Sequence, residues 1–203
     1  MARFNYSILG EATGNAGRAN FYRWRGKQFV RGRMIERGNA NATAAQLSVQ
    51  QRFAVLSEFL KKVPTALRLG FVKVSDGKTY MNVAFSANWG TVALSGDTWT
   101  LTPSDMVLSN GTDDFAIKAV KSTSSVDFTW KAPRKGDAYY TDGQLVAVAY
   151  NAKNAKVIIL LADLSAASIS LDSSSIATGA DDAIVYWYFA STGIISSPSQ
   201  FLE

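Results

Sequence analysis

The 203-residue chain contains no cysteine and no histidine. Without cysteine there is no disulfide, no thiolate nucleophile and no Cys-ligated metal. Without histidine the commonest general base and the commonest zinc ligand are gone, and a Ser-His-Asp triad is impossible. An enzyme built from what remains would need paired carboxylates, a lysine nucleophile or a carboxylate-bound Mg or Ca. The residue set therefore points away from catalysis, and no cofactor is expected. No apolar run is long enough to cross a bilayer, and MARFNYSILG at the start lacks the apolar core of a signal peptide, so neither a membrane partner nor secretion by that route is expected. Proline is also scarce, at four residues. Charged residues make up 18% of the chain and hydrophobic residues 47%, so a packed core rather than disorder is expected.

The charge is uneven. The net value is +5, yet residues 1–37 carry eight Arg/Lys against Glu11 and Glu36, while residues 73–203 carry nine basic against thirteen acidic side chains. A basic head on an acidic body bears on partners, and it suits head-to-tail association of subunits into rings or lattices.

The densest basic stretch runs from Arg18 to Arg37, RANFYRWRGKQFVRGRMIER. Gly26-Lys27 lies between two strand-favouring runs and reads as a hairpin turn. On the first arm, Phe21, Arg23 and Arg25 alternate with Tyr22 and Trp24, so pleating separates arginines from the large rings. On the second, Phe29, Arg31 and Arg33 oppose Val30, Gly32 and Met34. The candidate partner-binding residues are Arg18, Arg23, Trp24, Arg25, Lys27, Arg31 and Arg33. A ribbon with an arginine face suits an acidic partner, which could be nucleic acid, a membrane surface or an acidic protein surface. Arginines and rings together could stack on bases. The plainer reading is a small sheet whose apolar face packs on its own domain or on another subunit, with the arginines in solvent.

Upstream, Gly10, Gly14 and Gly17 lack the spacing of a dinucleotide or P-loop fingerprint, and residues 1–17 read as an extended arm. Downstream, GNANA at 38–42 reads as a linker. Thr43-Ala-Ala-Gln46 has the form of a capping box. Leu47, Gln50, Phe53, Ala54, Leu56, Phe59 and Leu60 follow at three- and four-residue spacing, which predicts an amphipathic helix over 43–62 with its stripe in a core or helix seam. Pro64 ends it and opens a second apolar stretch to about residue 74. Tyr80, Val83, Ala84 and Ala87 favour a helix near 78–90, although the Val, Thr and Phe content also permits a strand.

From residue 98 the period changes to two. Short apolar runs at about 115–120, 125–131, 144–150, 156–162, 166–171, 183–190 and 193–202 alternate with turn clusters. Seven such strands predict a β-sandwich of immunoglobulin or fibronectin-III type, with Trp130 and Trp187 in its core. The fold class expected is thus mainly β with α. A basic arm and hairpin occupy 1–42, a helical segment 43–97, and the sandwich 98–203. Asp113-Asp114 and Asp181-Asp182 fall in predicted loops and read as solvated charges, with no EF-hand spacing for calcium.

The order of these segments resembles a domain-of-unknown-function family found in Bacteroidota and in their phages or prophages. The matching pieces are Gly14 to Arg31, with F-Y-R-W-R-G-K-x-x-V-R, then Ala45 to Phe53 and Leu67 to Phe71. Members often carry Asn-Pro-x-Thr before the helix, where this chain has Asn41-Ala42-Thr43. The resemblance implies a virion or assembly role: a capsid, decoration or tail protein, made in the host cytoplasm, whose partners are itself and other virion proteins. The alternatives are a nucleic-acid binder using the hairpin, and a cell-surface glycan binder using aromatics such as Trp89 or Trp99.

Overall fold

The computed structural model describes residues 2–3, 13–32, 42–74, 77–123, 125–179 and 183–203. Arg33, most of the 38–42 linker and the Asp181-Asp182 pair lie outside the described residues. Two compact units emerge, Met1–Leu47 and Ser48–Glu203.

The first unit holds a four-stranded antiparallel sheet of β1 (Ala2–Arg3), β2 (Gly14–Ala16), β3 (Ala19–Trp24) and β4 (Lys27–Gly32), in the order β1-β4-β3-β2. The β3–β4 turn is Arg25-Gly26, one residue earlier than the sequence suggests, and both residues have positive φ, 50° and 73°. Two left-handed residues make the type I′ turn whose twist matches a two-residue hairpin.

Helix α1 (Ala44–Lys62) begins with the expected capping box. The Gln46 backbone N–H donates to Thr43 Oγ1 (3.3 Å), and the Thr43 N–H donates to Gln46 Oε1 (3.0 Å). Two otherwise orphaned donors are thereby satisfied. The apolar stripe behaves differently in its two halves: Leu56, Phe59 and Leu60 are buried, while Leu47 and Phe53 are exposed. Helix α2 (Pro64–Gly70) starts on Pro64, which needs no N–H there. Helix α3 (Tyr80–Asn88) is capped by Thr79, so the ambiguous stretch resolves as a helix. A short hairpin follows, β5 (Val92–Ser95) and β6 (Thr98–Leu101), turning on Gly96-Asp97.

The sandwich has two antiparallel sheets. Strands β7 (Ile117–Lys121), β8 (Ser125–Trp130) and β11 (Ser168–Asp172) form one, in the order β11-β8-β7. Strands β9 (Gln144–Asn151), β10 (Lys156–Asp163), β12 (Ile184–Ser191) and β13 (Gln200–Leu202) form the other, in the order β10-β9-β12-β13. The fourth strand of the seven stays beside the third, and the fifth crosses back to the smaller sheet. That arrangement is fibronectin-III-like. The last strand is shorter than the 193–202 run suggests. Gly193 turns the chain at φ 79°, and Pro198 cannot donate to a ladder.

Two cores lie on opposite faces of the larger sheet. Between the sheets, Val126, Phe128 and Trp130 pack against Leu145, Ala147, Ala149, Tyr186 and Tyr188. On the outer face, Val146, Val148, Tyr150, Val185, Trp187 and Phe189 pack against Leu56, Phe59, Leu60 and Leu67 of the helices. Trp130 and Trp187 are both buried, as expected, but in different cores. The helices thus form a third layer on the sandwich, although composition changes at residue 98.

Buried hydroxyls and an amide seal this layer. The last carbonyls of α2 lack helical donors. Gly70 O accepts from Ser109 Oγ (3.2 Å) and Ser196 Oγ (3.0 Å), and Leu69 O from Ser191 Oγ (2.7 Å). Asn88 is fully buried. Its Nδ2 donates to Ala84 O and Val107 O, and its Oδ1 accepts from the Val107 N–H, which ties α3 to the loop before the sandwich.

Candidate functional site

The hairpin register decides how cations and rings are shared. Tyr22 pairs with Phe29, Arg23 with Gln28, and Asn20 with Arg31. Directly opposed residues in an antiparallel pair project to the same face. One face therefore collects Tyr22, Trp24, Lys27, Phe29 and Arg31, and the other Phe21, Arg23, Gln28 and Val30. The ribbon has no all-arginine face. The expectation of one is corrected by the pairing, which sets the second arm's Arg31 beside the first arm's rings.

On the ring face the aromatics form a run. Tyr22 and Phe29 stack at 5.6 Å and 20°, and Trp24 meets Phe29 edge-on at 6.4 Å. Two guanidinium groups lie over the rings: Arg31 is 5.5 Å from the Tyr22 centroid and Arg25 is 5.0 Å from that of Trp24. Each such pair stabilises by roughly 0.5–1 kcal/mol where solvent reaches it. Trp24 remains 44% exposed. Arg18 sits in the Gly17-Arg18 turn between β2 and β3, and Arg18, Arg23, Arg25, Lys27 and Arg31 are all exposed. Residues 13–32 contain these five cations and no carboxylate. The candidate residues thus converge on one small sheet, but on both faces and at two turns. Gln28, which sequence reasoning passed over, is 2% exposed, with both amide atoms lacking a hydrogen-bond partner among the described residues.

The second unit carries a different surface. Phe53, Ser57, Leu60 and Lys61 of α1 face Met81, Asn82, Phe85 and Ser86 of α3 and then Trp89 across an open groove of about 790 Å³. Phe53 and Phe85 are 4.7 Å apart, and Phe85 and Trp89 5.5 Å. The stripe at Phe53 signalled an apolar face but not that it would stay uncovered. Trp89 and Trp99, the candidate glycan-binding rings, are both engaged by Arg52. Its guanidinium carbon is 4.4 Å from one centroid and 5.2 Å from the other, and its Nη2 donates to Trp89 O (2.6 Å). Trp99 Nε1 donates to Ser48 Oγ (3.2 Å). These contacts tie α1 to the β5–β6 hairpin.

Asp113 and Asp114 lie near a buried phenol rather than simply in solvent. Burial, and then the charge of Asp113 and Asp114, pushes the Tyr139 phenol up to about 12. Among the described residues, no group of three or more acidic side chains is placed to hold a metal ion.

Comparison with known proteins fits the sequence order already described. A search of curated proteins gives no match. The family model described as "Family of unknown function (DUF6266)" matches residues 11–202. The match takes in the β2–β4 strands, the helical layer and both sheets of the sandwich, and the chain belongs to that family.

Proposed function

We propose that the chain is a non-enzymatic structural protein of a bacteriophage virion, a capsid, decoration or tail component, whose basic hairpin joins one subunit to the next. The observation that carries this reading is the ring-and-guanidinium surface of half-buried Tyr22 and Phe29 with exposed Trp24, Arg25 and Arg31, on a sheet whose residues 13–32 hold no carboxylate. Tyr, Trp and Arg are the side chains most enriched among those that anchor protein interfaces: the two rings bury large rigid areas, and the guanidinium offers paired donors. Residues 73–203 carry the opposite net charge, which supports hairpin-to-body contact between copies. A hairpin on one copy and an acidic body on the next is a heterologous contact, the kind that builds rings, tubes and lattices. The resemblance to a phage-associated family supports the virion setting.

The test is light scattering after size exclusion at low and high salt, comparing the wild type with Arg23→Ala/Arg25→Ala/Arg31→Ala. The wild type is expected to form large, salt-sensitive assemblies that the triple variant does not. Absence of large assemblies at low salt, or assemblies untouched by the substitutions, refutes the hairpin's role. Absence of the protein from purified particles of the phage encoding it refutes the virion setting.

The stacked ring run favours a second reading, single-stranded nucleic acid, since bases stack on such platforms beside cations. Engagement of all five cations would make log K fall with log salt at a slope of about −3.5. A flat salt dependence removes this reading.

A further inference from the structure

The sandwich exposes one strand edge unlike its others. Strand β10 pairs with β9 along all eight residues, Lys156↔Asn151 to Asp163↔Gln144, without a bulge. Its other edge has no strand partner among the described residues. Between Lys156 and Asp163 it reads Val-Ile-Ile-Leu-Leu-Ala, with no charge, proline or glycine. Natural sheets blunt such edges with lysines, prolines, bulges or short strands. The remaining edges follow that rule. Strand β7 carries Lys118 and Lys121, β11 carries Ser168, Ser170 and Asp172, and β13 is three residues long after Pro198. Between its terminal Lys156 and Asp163 the β10 edge lacks these devices, and Leu161 is 43% exposed on it.

We infer that the β10 edge is an interface for a second copy of this chain, joined by antiparallel β10–β10 pairing about a twofold axis. Charge selects the direction. Parallel pairing would set Lys156 beside Lys156 and Asp163 beside Asp163, whereas antiparallel pairing brings the Lys156 end of each copy to the Asp163 end of the other. Symmetry restricts the register. A twofold axis normal to the sheet keeps each side chain on its own face, so one residue must oppose its own copy. Centring on Ile159 opposes Val157 to Leu161, Ile158 to Leu160 and Lys156 to Ala162, which leaves Lys156 and the other copy's Asp163 at the same end of the junction but on opposite faces. Centring on Leu160 would instead place the Asp163 carboxylate opposite Val157. The Ile159 register satisfies the open backbone edge and extends both apolar layers of the larger sheet across the junction: Val157 and Ile159 belong to the helix-side core, Ile158 and Leu160 to the inter-sheet core. This contact is isologous and closes as a dimer. It uses none of the hairpin residues and stands independently of the hairpin reading.

The test uses the full-length chain carrying the Arg23→Ala/Arg25→Ala/Arg31→Ala changes, at high salt, so that hairpin contacts do not contribute. Light scattering is expected to find twice the 22.0 kDa chain mass. Adding Leu161→Lys at the exposed edge should weaken the dimer roughly tenfold or more. The chain has no cysteine, so Ile159→Cys reports on this contact alone. Directly opposed antiparallel residues lie about 4.5–5.5 Å apart at Cα, within disulfide reach, so mild oxidation should cross-link the dimer. A monomer at every concentration overturns the inference, as does a dimer that Leu161→Lys leaves intact. A dimer sensitive to Leu161→Lys that fails to cross-link overturns the register centred on Ile159.

Discussion

Phe59→Ala tests whether the helical layer and the sandwich are one cooperative structure. Phe59 is 2% exposed and sits at the junction of α1 with the larger sheet. Its ring meets Tyr150 edge-on at 5.1 Å and 81°, and Trp187 at 5.6 Å and 61°. Truncating a buried phenylalanine costs about 3–5 kcal/mol in lost transfer energy and residual cavity. The two edge-on ring contacts add about 0.5–1.5 kcal/mol each beyond buried area, which favours the upper part of that range. Neighbours on both sides belong to a β-strand ladder and a helix, so the space cannot close cheaply. With a urea slope of about 2 kcal/mol per molar, a loss of about 4 kcal/mol lowers the midpoint by about 2 M. The assay is urea unfolding followed by circular dichroism at 222 nm for the helices and by tryptophan fluorescence, to which Trp187 contributes from the shared core. Both probes should move together by that amount, in a single transition. A helical signal lost at low urea while the fluorescence transition stays in place would refute the reasoning. It would mean that the two layers unfold separately.

Two further outcomes follow from the same packing. Gly111→Ala would drive a Cβ into the Ser196 carbonyl, which is backbone and cannot swing aside, whereas nothing lies near a Cβ at Gly90. Thermal unfolding should therefore show a large loss for Gly111→Ala and at most about 1 kcal/mol for Gly90→Ala, and equal effects would refute the close approach. The Tyr139 phenol is held neutral in the fold up to about 12, but ionises near 10 when unfolded. The unfolded state thus releases its proton first, so this group's contribution to stability falls as pH rises from about 10 to 12. The Tyr139 hydroxyl has no hydrogen-bond partner among the described residues, so Tyr139→Phe should be tolerated at neutral pH and should lose less stability across that window than the wild type. Parallel urea midpoints for the two proteins would refute this.

Several elements were legible because their signals are local. The capping box at Thr43–Gln46 and the proline at position 64 bound α1 and α2 wherever the rest of the chain lies. The sandwich strands begin and end within two residues of their apolar runs, apart from the last, since turn clusters punctuate them. The β5–β6 hairpin likewise carries a local turn signal in Gly96-Asp97. The apolar character of both faces of β9 and β12 was also visible. Leu145, Ala147 and Ala149 alternate with Val146, Val148 and Tyr150, which is the pattern of a sheet covered on both sides. Composition nevertheless suggested a boundary at residue 98, because composition reports local preference and not which surfaces meet.

The sequence by itself determined the mainly β class with helices, the positions of most elements, the missing histidine and cysteine chemistry, and the concentration of cations before residue 38. Only the tertiary structure decided which apolar faces are covered. The stripe of α1 is uniform in sequence, yet it is buried at Leu56, Phe59 and Leu60 and open at Leu47 and Phe53. Tertiary structure also decided that Arg31 joins the rings while Arg23 faces away, and that β10 has no second strand partner among the described residues. The physical reason is common to all three. Helical and strand periodicity follow from backbone geometry within a few residues, whereas register, layer contact and edge exposure depend on pairing between segments far apart in the chain.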